Sequence, residues 1–205
     1  MCVNIYLLFK NMRLKTLPSS TDIILTSAKE CFFQHGYAAA NISMIGRYAE
    51  ISRVTIHKQF KSKEDIFRSV VEKHIHDNYG FLERYVQSEG DFWAETESFI
   101  LNRCGGMFEE ISSSIVRTDL LHAGQSYCLD IIHKNIIRVR ESISFRIEKE
   151  LSEKRITLKN IDISVEEFSR LIESAPLGLV VESQEKDNIG YVKHLMKVFK
   201  ASSAL

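Results

Sequence analysis

Between Arg53 and Lys58 the chain sets a guanidinium, a β-branched hydroxyl, an imidazole and an ammonium close together in the run Arg53-Val54-Thr55-Ile56-His57-Lys58. Arginine and lysine donate to the O6 and N7 acceptors of guanine, and the methyls of valine and threonine pack on the thymine methyl. If this run is helical, Ile56 and Phe60 lie four apart on one inward face, which leaves Arg53, Val54, Thr55, His57 and Lys58 pointing outward. A helix of that kind suits base edges in a DNA groove. Catalytic patterns are missing: the chain has no HExxH, GxSxG or P-loop motif, and His74 and His76 would face different ways on a helix. The cysteines at 2, 31, 104 and 128 form no CxxC pair and no zinc spacing. No catalytic residue, metal or cofactor is therefore expected, and the thiols fit a reduced, cytoplasmic protein.

Formal net charge is zero, but residues 1–80 carry 11 Lys+Arg against 7 Asp+Glu, so the acidic excess falls on the rest of the chain. The basic end is where a polyanion would bind. With 44% hydrophobic residues, two prolines and nine glycines in 205 residues, the composition supports a buried core and favours helix over a many-stranded sheet. Met1 to Phe9 is apolar, but no small-residue cleavage site follows and the stretch is too short to span a bilayer, so neither leader nor anchor is expected. Met12 offers a second start besides Met1, which would leave the first eleven residues as an extension or an artefact of start-site choice.

The elements that would position Arg53 to Lys58 can be read from apolar spacing. Ile24, Leu25, Ala28, Cys31 and Phe32 form one helical stripe from Thr21, and Gly36 is placed to end it. Asn41 is placed to cap a second, short helix carrying Ile42, Ile45 and Ala49. Ser52 then caps the third, Arg53 to Phe60. Ser62-Lys63-Glu64-Asp65 matches a capping box and opens a fourth helix through Ile66, Phe67, Val70, Val71 and Ile75. From Phe81 to Tyr127 two or three helices are expected, broken at Gly105-Gly106 and Gly124. The stripe Ile132, Ile136, Val139, Ile143, Ile147 and Leu151 predicts a long helix. Ser164 and Glu167 form a second capping box for a helix through Phe168, Leu171, Ile172, Ala175, Leu179 and Val180, which Pro176 is expected to kink. A last helix carries Ile189, Val192, Leu195, Met196 and Phe199.

The order and spacing of the Ile-Leu pair, Ala28, Phe32, Gly36-Tyr37, Ile45, Ala49, Ile51-Ser52, Thr55, Phe60 and Ser62-Lys63-Glu64 resemble the tetracycline-repressor (TetR) family of transcription regulators over about a quarter of the chain. The resemblance implies an all-α fold with an N-terminal extension at 1–20, a helix-turn-helix DNA-binding domain at 21–66, and a helical effector-binding and dimerisation domain at 67–205. It implies that Arg53 to Phe60 is the recognition helix and that Asn41, His57 and Lys63 contact phosphates of double-stranded DNA. Three positions depart from the family pattern. Glu50 stands where glycine is usual in the turn, Gly46 where alanine is usual, and His57 where tyrosine is usual. Glu50 would be strained if the turn requires a left-handed backbone, and His57 could make DNA affinity pH-dependent.

For the C-terminal half the resemblance implies a homodimer through the last two helices, with Phe168, Leu171, Ala175, Gly178, Leu179, Val192, Leu195 and Phe199 as interface residues. It also implies a pocket for a small-molecule effector of unknown identity, for which Tyr85, Trp93, Phe99, Met107, Phe108 and His122 are the candidate lining. The expected function is a ligand-responsive repressor on a palindromic operator. The alternative is a helical adaptor of the same fold that has lost sequence-specific DNA binding. A basic, open face on the Arg53 to Lys58 helix favours the first reading, and an acidic or covered one the second.

Overall fold

The computed structural model describes residues 18–108, 111–182 and 188–205; side chains at 105–108, 179–182 and 188–189 lie outside the description. The expected extension at 1–20 falls almost wholly outside it, as do Cys2 and the two candidate start sites. The described residues form ten helices and no strand: α1 (Ser20–Ala39), α2 (Ile42–Ala49), α3 (Arg53–Gln59), α4 (Lys63–Asp77), α5 (Tyr79–Gln87), α6 (Phe92–Phe108), α7 (Ser114–Tyr127), α8 (Leu129–Ser152), α9 (Val165–Glu182) and α10 (Asn188–Ser202). The fold is all-α, as the composition implies.

Helix starts are set by side-chain oxygens that accept orphan backbone N–H groups, each worth about 1 kcal/mol. Ser19 and Asp22 close a full capping box on α1. Asn41 accepts from the Met44 N–H at 3.0 Å and Ser52 from the Thr55 N–H at 3.1 Å. Ser164 and Glu167 close the second expected box, with exchanged bonds of 3.1 and 2.8 Å. The box expected at the start of α4 is only half made. Ser62 accepts from the Asp65 N–H, but the Asp65 carboxylate reaches past it to the Lys61 N–H at 3.0 Å.

Two glycine expectations are corrected. Helix α6 runs through Gly105-Gly106, and α7 runs through Gly124. Gly124 is buried, and a Cβ there would stand 3.4 Å from the Ile132 methyl. That is ordinary contact with the end of a flexible side chain, so the position where α7 meets α8 asks for a small residue and not for a break in the helix. Gly36 does interrupt α1, with φ 81° and ψ 170°, and one further turn follows it. A Cβ at Gly36 would collide with the Asp119 carboxylate, which accepts from the Ala38 N–H at 2.9 Å.

Apolar side chains gather in two cores. The first holds Ile24, Ala28, Cys31, Phe32, Ile45, Ile56, Phe60, Ile66 and Phe67, together with Ala123 of α7 and Cys128. The second holds Tyr85, Phe92, Trp93, Phe99, Ile100, Val139, Ile143, Ile147, Phe168, Ile172, Val192, Met196 and Phe199. Between them, Arg68 of α4 grips α8 through two bonds to Asp130, 2.9 and 2.8 Å, and a bond to the Tyr127 carbonyl. The guanidinium holds the Asp130 carboxyl at about 2, well below its usual 3.8.

Candidate nucleic-acid interface

Helix α3 is short, and its two ends are pinned differently. Its start is capped by Ser52, whose hydroxyl also meets the Thr55 hydroxyl at 2.9 Å. At its end Gln59 bridges to α1, donating to the Ser20 hydroxyl at 2.9 Å and accepting from Thr21 at 2.6 Å. Ile56 is fully buried and Phe60 nearly so. The opposite face is open: Arg53, His57 and Lys58 are exposed, Val54 is 69% exposed, and Thr55 is half-buried. This is the division that the spacing of Ile56 and Phe60 predicts. The Arg53 Nε–H donates to His57 Nε2 at 3.2 Å, a bond that requires His57 to be neutral at that nitrogen.

The turn joining α2 to α3 is tight. The Ile51 N–H bonds to the Gly46 carbonyl at 2.9 Å and the Glu50 N–H to the Arg47 carbonyl at 3.4 Å, the Schellman arrangement that ends a helix. It places Glu50 at φ 54°, ψ 32°, a left-handed backbone for a residue with a Cβ. Two of the three departures from the expected pattern, Glu50 and Gly46, meet in this turn. Glu50 occupies the conformation that glycine adopts without strain. A Cβ at Gly46 would sit 2.7 Å from the Ile51 carbonyl oxygen, so alanine would force the turn apart.

A recess of about 330 Å³ opens beside the start of α2, lined by Ala40, Asn41, Ile42, Ser43, Arg53 and Lys63. Three of the residues singled out from the sequence meet there. Asn41 caps α2, so its amide oxygen is engaged with Met44. Lys63 donates to the carbonyls of Tyr37 and Ala40 at 2.7 and 2.9 Å, with its ammonium 4.2 Å from the Tyr37 ring centroid. It thus closes the carbonyl end of α1, where a cation is favoured, while leaving its charge at the rim of the recess. The first backbone N–H groups of α2 lie at the same place and add positive potential. His57 and Lys58 stand further along α3, on the open face.

The remaining sequence candidates divide by burial. Tyr85, Trp93 and Phe99 come together in the second core, with the Tyr85 and Phe99 rings stacked at 4.7 Å. His122 is exposed on α7, apart from them, and the side chains of Met107 and Phe108 lie outside the description. Phe168, Val192 and Phe199 are inward members of the second core. Leu171 is 44% exposed, Gly178 is exposed with nothing within 4 Å of a Cβ position, and Ala175 and Leu195 are half-buried. Leu179 lies outside the described side chains.

Sequence reasoning missed the charged groups inside the second core. Glu173 is almost fully buried and receives Arg103 at 2.9 Å and Arg140 at 3.1 Å. Arg146 is 1% exposed. Their signal was the register itself: Arg146 falls on the Val139, Ile143 row of α8, and Glu173 follows Ile172 on the buried row of α9. Cys31, Cys104 and Cys128 are buried free thiols, and burial pushes Cys104 and Cys128 up to about 11. Among the described residues no three His, Cys, Asp or Glu side chains are grouped to hold a metal, and no helix is long and apolar enough to cross a membrane.

Residues 24–70 match the family model described as bacterial regulatory proteins, tetR family. A comparison with curated proteins gives no match. Among solved structures, a TetR transcription regulator from Haloarcula marismortui superposes with a TM-score of 0.74 at 16% identity, covering 91% of this chain and 98% of that one. SmeT, the repressor of the Stenotrophomonas maltophilia multidrug efflux pump SmeDEF, gives 0.68 at 17% identity over 91% of each chain. FadR of Bacillus subtilis, solved with stearoyl-CoA, gives 0.65 at 14% identity over 88% of this chain and 97% of that one. Residues 24–70 thus carry the N-terminal domain of the tetR family of regulatory proteins, in a chain whose fold is shared with these regulators along most of its length.

Proposed function

We propose that this protein is a cytoplasmic transcriptional repressor that binds a pseudo-palindromic DNA operator as a homodimer and releases it when a small molecule binds the C-terminal half. The observation that carries the reading is the open face of α3. Arg53, Val54, His57 and Lys58 are exposed side by side, with no acidic residue on that helix, next to the recess of Asn41 and Lys63. An uncovered face of this composition favours a DNA reader over an adaptor that has lost DNA binding. Within it, Arg53 and Lys58 address base edges and Val54 a thymine methyl, while Asn41, His57 and the α2 N-terminus grip phosphates. Lys63 contributes charge at the rim while its hydrogen bonds hold α1 to α4.

The division proposed is an N-terminal extension at 1–20, a reading domain at 21–66 and a sensing and dimerising domain at 67–205. The second copy would meet the outward faces of α9 and α10. Leu171 and Gly178 on α9 and Tyr191, Leu195 and Val198 on α10 leave apolar surface there, with Tyr191 47% and Val198 61% exposed. Phe168, Val192 and Phe199 support that face from behind. A twofold dimer would carry its recognition helices to half-sites about 34–36 Å apart or a multiple of that. The effector would enter the second core near Tyr85, Trp93 and Phe99.

The test is a gel shift on DNA from upstream of the protein's own gene, across salt concentrations and against excess random DNA. Binding that survives the competitor is expected. Arg53→Ala should relax discrimination by about 1–3 kcal/mol per affected base contact, and Lys58→Ala should likewise weaken specific DNA more than random DNA. Equal loss on both DNAs for Arg53→Ala would remove α3 from base reading.

A further inference from the structure

Arg146 is the least satisfied charge in the molecule's described interior. It is 1% exposed, and its Nε has no hydrogen-bond partner. One terminal nitrogen donates to the Tyr85 carbonyl, in the last turn of α5. Its guanidinium carbon lies 5.1 Å from the Tyr85 ring centroid and 5.8 Å from that of Phe92. A guanidinium has five N–H donors in a planar fork, and burying it without an anion is costly. The carboxylates that could neutralise it are held elsewhere. Glu150, one turn along α8, is bound by Arg155 at 2.6 and 2.8 Å, and Glu89 is bound by Lys149 at 2.9 Å. No carboxylate among the described residues pairs with Arg146.

The surroundings add two points. The other buried carboxylate of this region, Glu173, is also engaged, since Arg103 and Arg140 share it. Two aromatic rings face Arg146: that of Tyr85, stacked on Phe99, and that of Phe92, edge-to-face with Trp93. A planar fork set against aromatic rings fits a carboxylate carrying an apolar body.

We propose that the effector is an apolar monocarboxylic acid whose carboxylate is bound by Arg146 between α5, α6 and α8. This rests on the reading of the C-terminal half as the sensing half. The carboxylate takes the Nε–H and a terminal N–H as a bidentate pair, and the apolar body takes the place of ring contacts around Tyr85. Room for it comes from α5, a nine-residue helix bounded by Asn78 and the extended Ser88. Arg146 tethers the end of α5 through the Tyr85 carbonyl, and α5 follows α4 directly across Asn78. An acid that draws the guanidinium off that carbonyl loosens α5 and with it α4, whose other end Lys63 ties to α1. The signal therefore travels along one continuous stretch of chain to the DNA-reading helices.

The experiment is thermal unfolding of the intact protein with octanoate, decanoate, phenylacetate and benzoate, each compared with its primary amide, alongside the gel shift. At about a hundredfold excess over Kd, at least one acid is expected to raise Tm by roughly 5–10 °C and to release the shifted DNA, while its amide does neither. Arg146→Met should abolish the shift in Tm, and Arg146→Lys should reduce it. No effect from any acid, equal effects of acid and amide, or an acid effect that survives Arg146→Met would each overturn the proposal. If Arg146→Met fails to fold, the acid and amide pairs in the unaltered protein still decide. DNA binding without any acid effect overturns this inference alone, and an acid effect without DNA binding overturns the repressor reading alone.

Discussion

The two cores of this molecule are built on different terms. Around α1 to α4 the buried set is apolar apart from Ser27, and every charge is kept for the surface or the rim of the recess. Around α5 to α10 the buried set includes Arg146, Glu150 and Glu173, with Arg103 and Arg140 drawn in beside them. An apolar core makes a rigid platform, which a DNA-reading helix needs if its side chains are to meet base edges in fixed register. Buried charges can settle in more than one arrangement when an ion enters, which is what a sensing region needs. The difference in interior chemistry thus parallels the proposed difference in task.

The strongest way to break this comparison is at Glu173. Glu173→Ala leaves Arg103 and Arg140 facing one another without an anion, and a loss of about 3–5 kcal/mol is expected in urea unfolding. A loss below about 1 kcal/mol would mean that water already neutralises the cluster and that the second core is not electrostatically organised.

The turn between α2 and α3 sharpens the comparison from the other side, since the reading platform should be intolerant of small geometric changes. Gly46→Ala pushes a Cβ to within 2.7 Å of the Ile51 carbonyl and is expected to cost about 1–3 kcal/mol. Glu50→Gly removes a left-handed strained residue and is expected to raise stability by up to about 1 kcal/mol. If both variants match the parent protein in unfolding midpoint, the turn is looser than its hydrogen bonds indicate.

The smallest expected effect lies at the joint. Asp130 is exposed, and its carboxyl is held low first by its hydrogen bonds with Arg68. A depressed carboxyl contributes stability above its unfolded value and loses it as pH falls, so the Arg68 clasp should fade between about 3.8 and about 2. Asp130→Asn should flatten the acid limb of a stability profile over that window. An unchanged profile would remove the clasp from the link between the halves.

Much of the first region was legible in the sequence because its rules are local. Caps at Asn41 and Ser52 and the stripe from Ile24 to Phe32 act over one or two turns, and Ile56 with Phe60 fixes which face of α3 is outward. What stayed hidden depends on partners far along the chain. Gln59 reaches Ser20 and Thr21 some 38 residues away, and Asp119 meets Gly36 and Ala38 across 81. Lys63 was expected to contact phosphate, and nothing in its sequence neighbours announces that it donates to the carbonyls of Tyr37 and Ala40. Gly124 read as a break because a glycine that ends a helix and one inside a buried helix face look alike in sequence. In the second region Tyr85, Trp93 and Phe99, expected as pocket lining, pack together in the core, and which charges turn inward beside them depends on three helices meeting.

The most direct measurement of the central claim is selection of duplexes from a random DNA library by the intact protein, repeated with Arg53→Ala. The account predicts enrichment of a two-half-site sequence, with the parent and the variant differing at defined bases within each half-site. Enrichment of no sequence, or an identical sequence preference for both proteins, would contradict a base-reading role for α3.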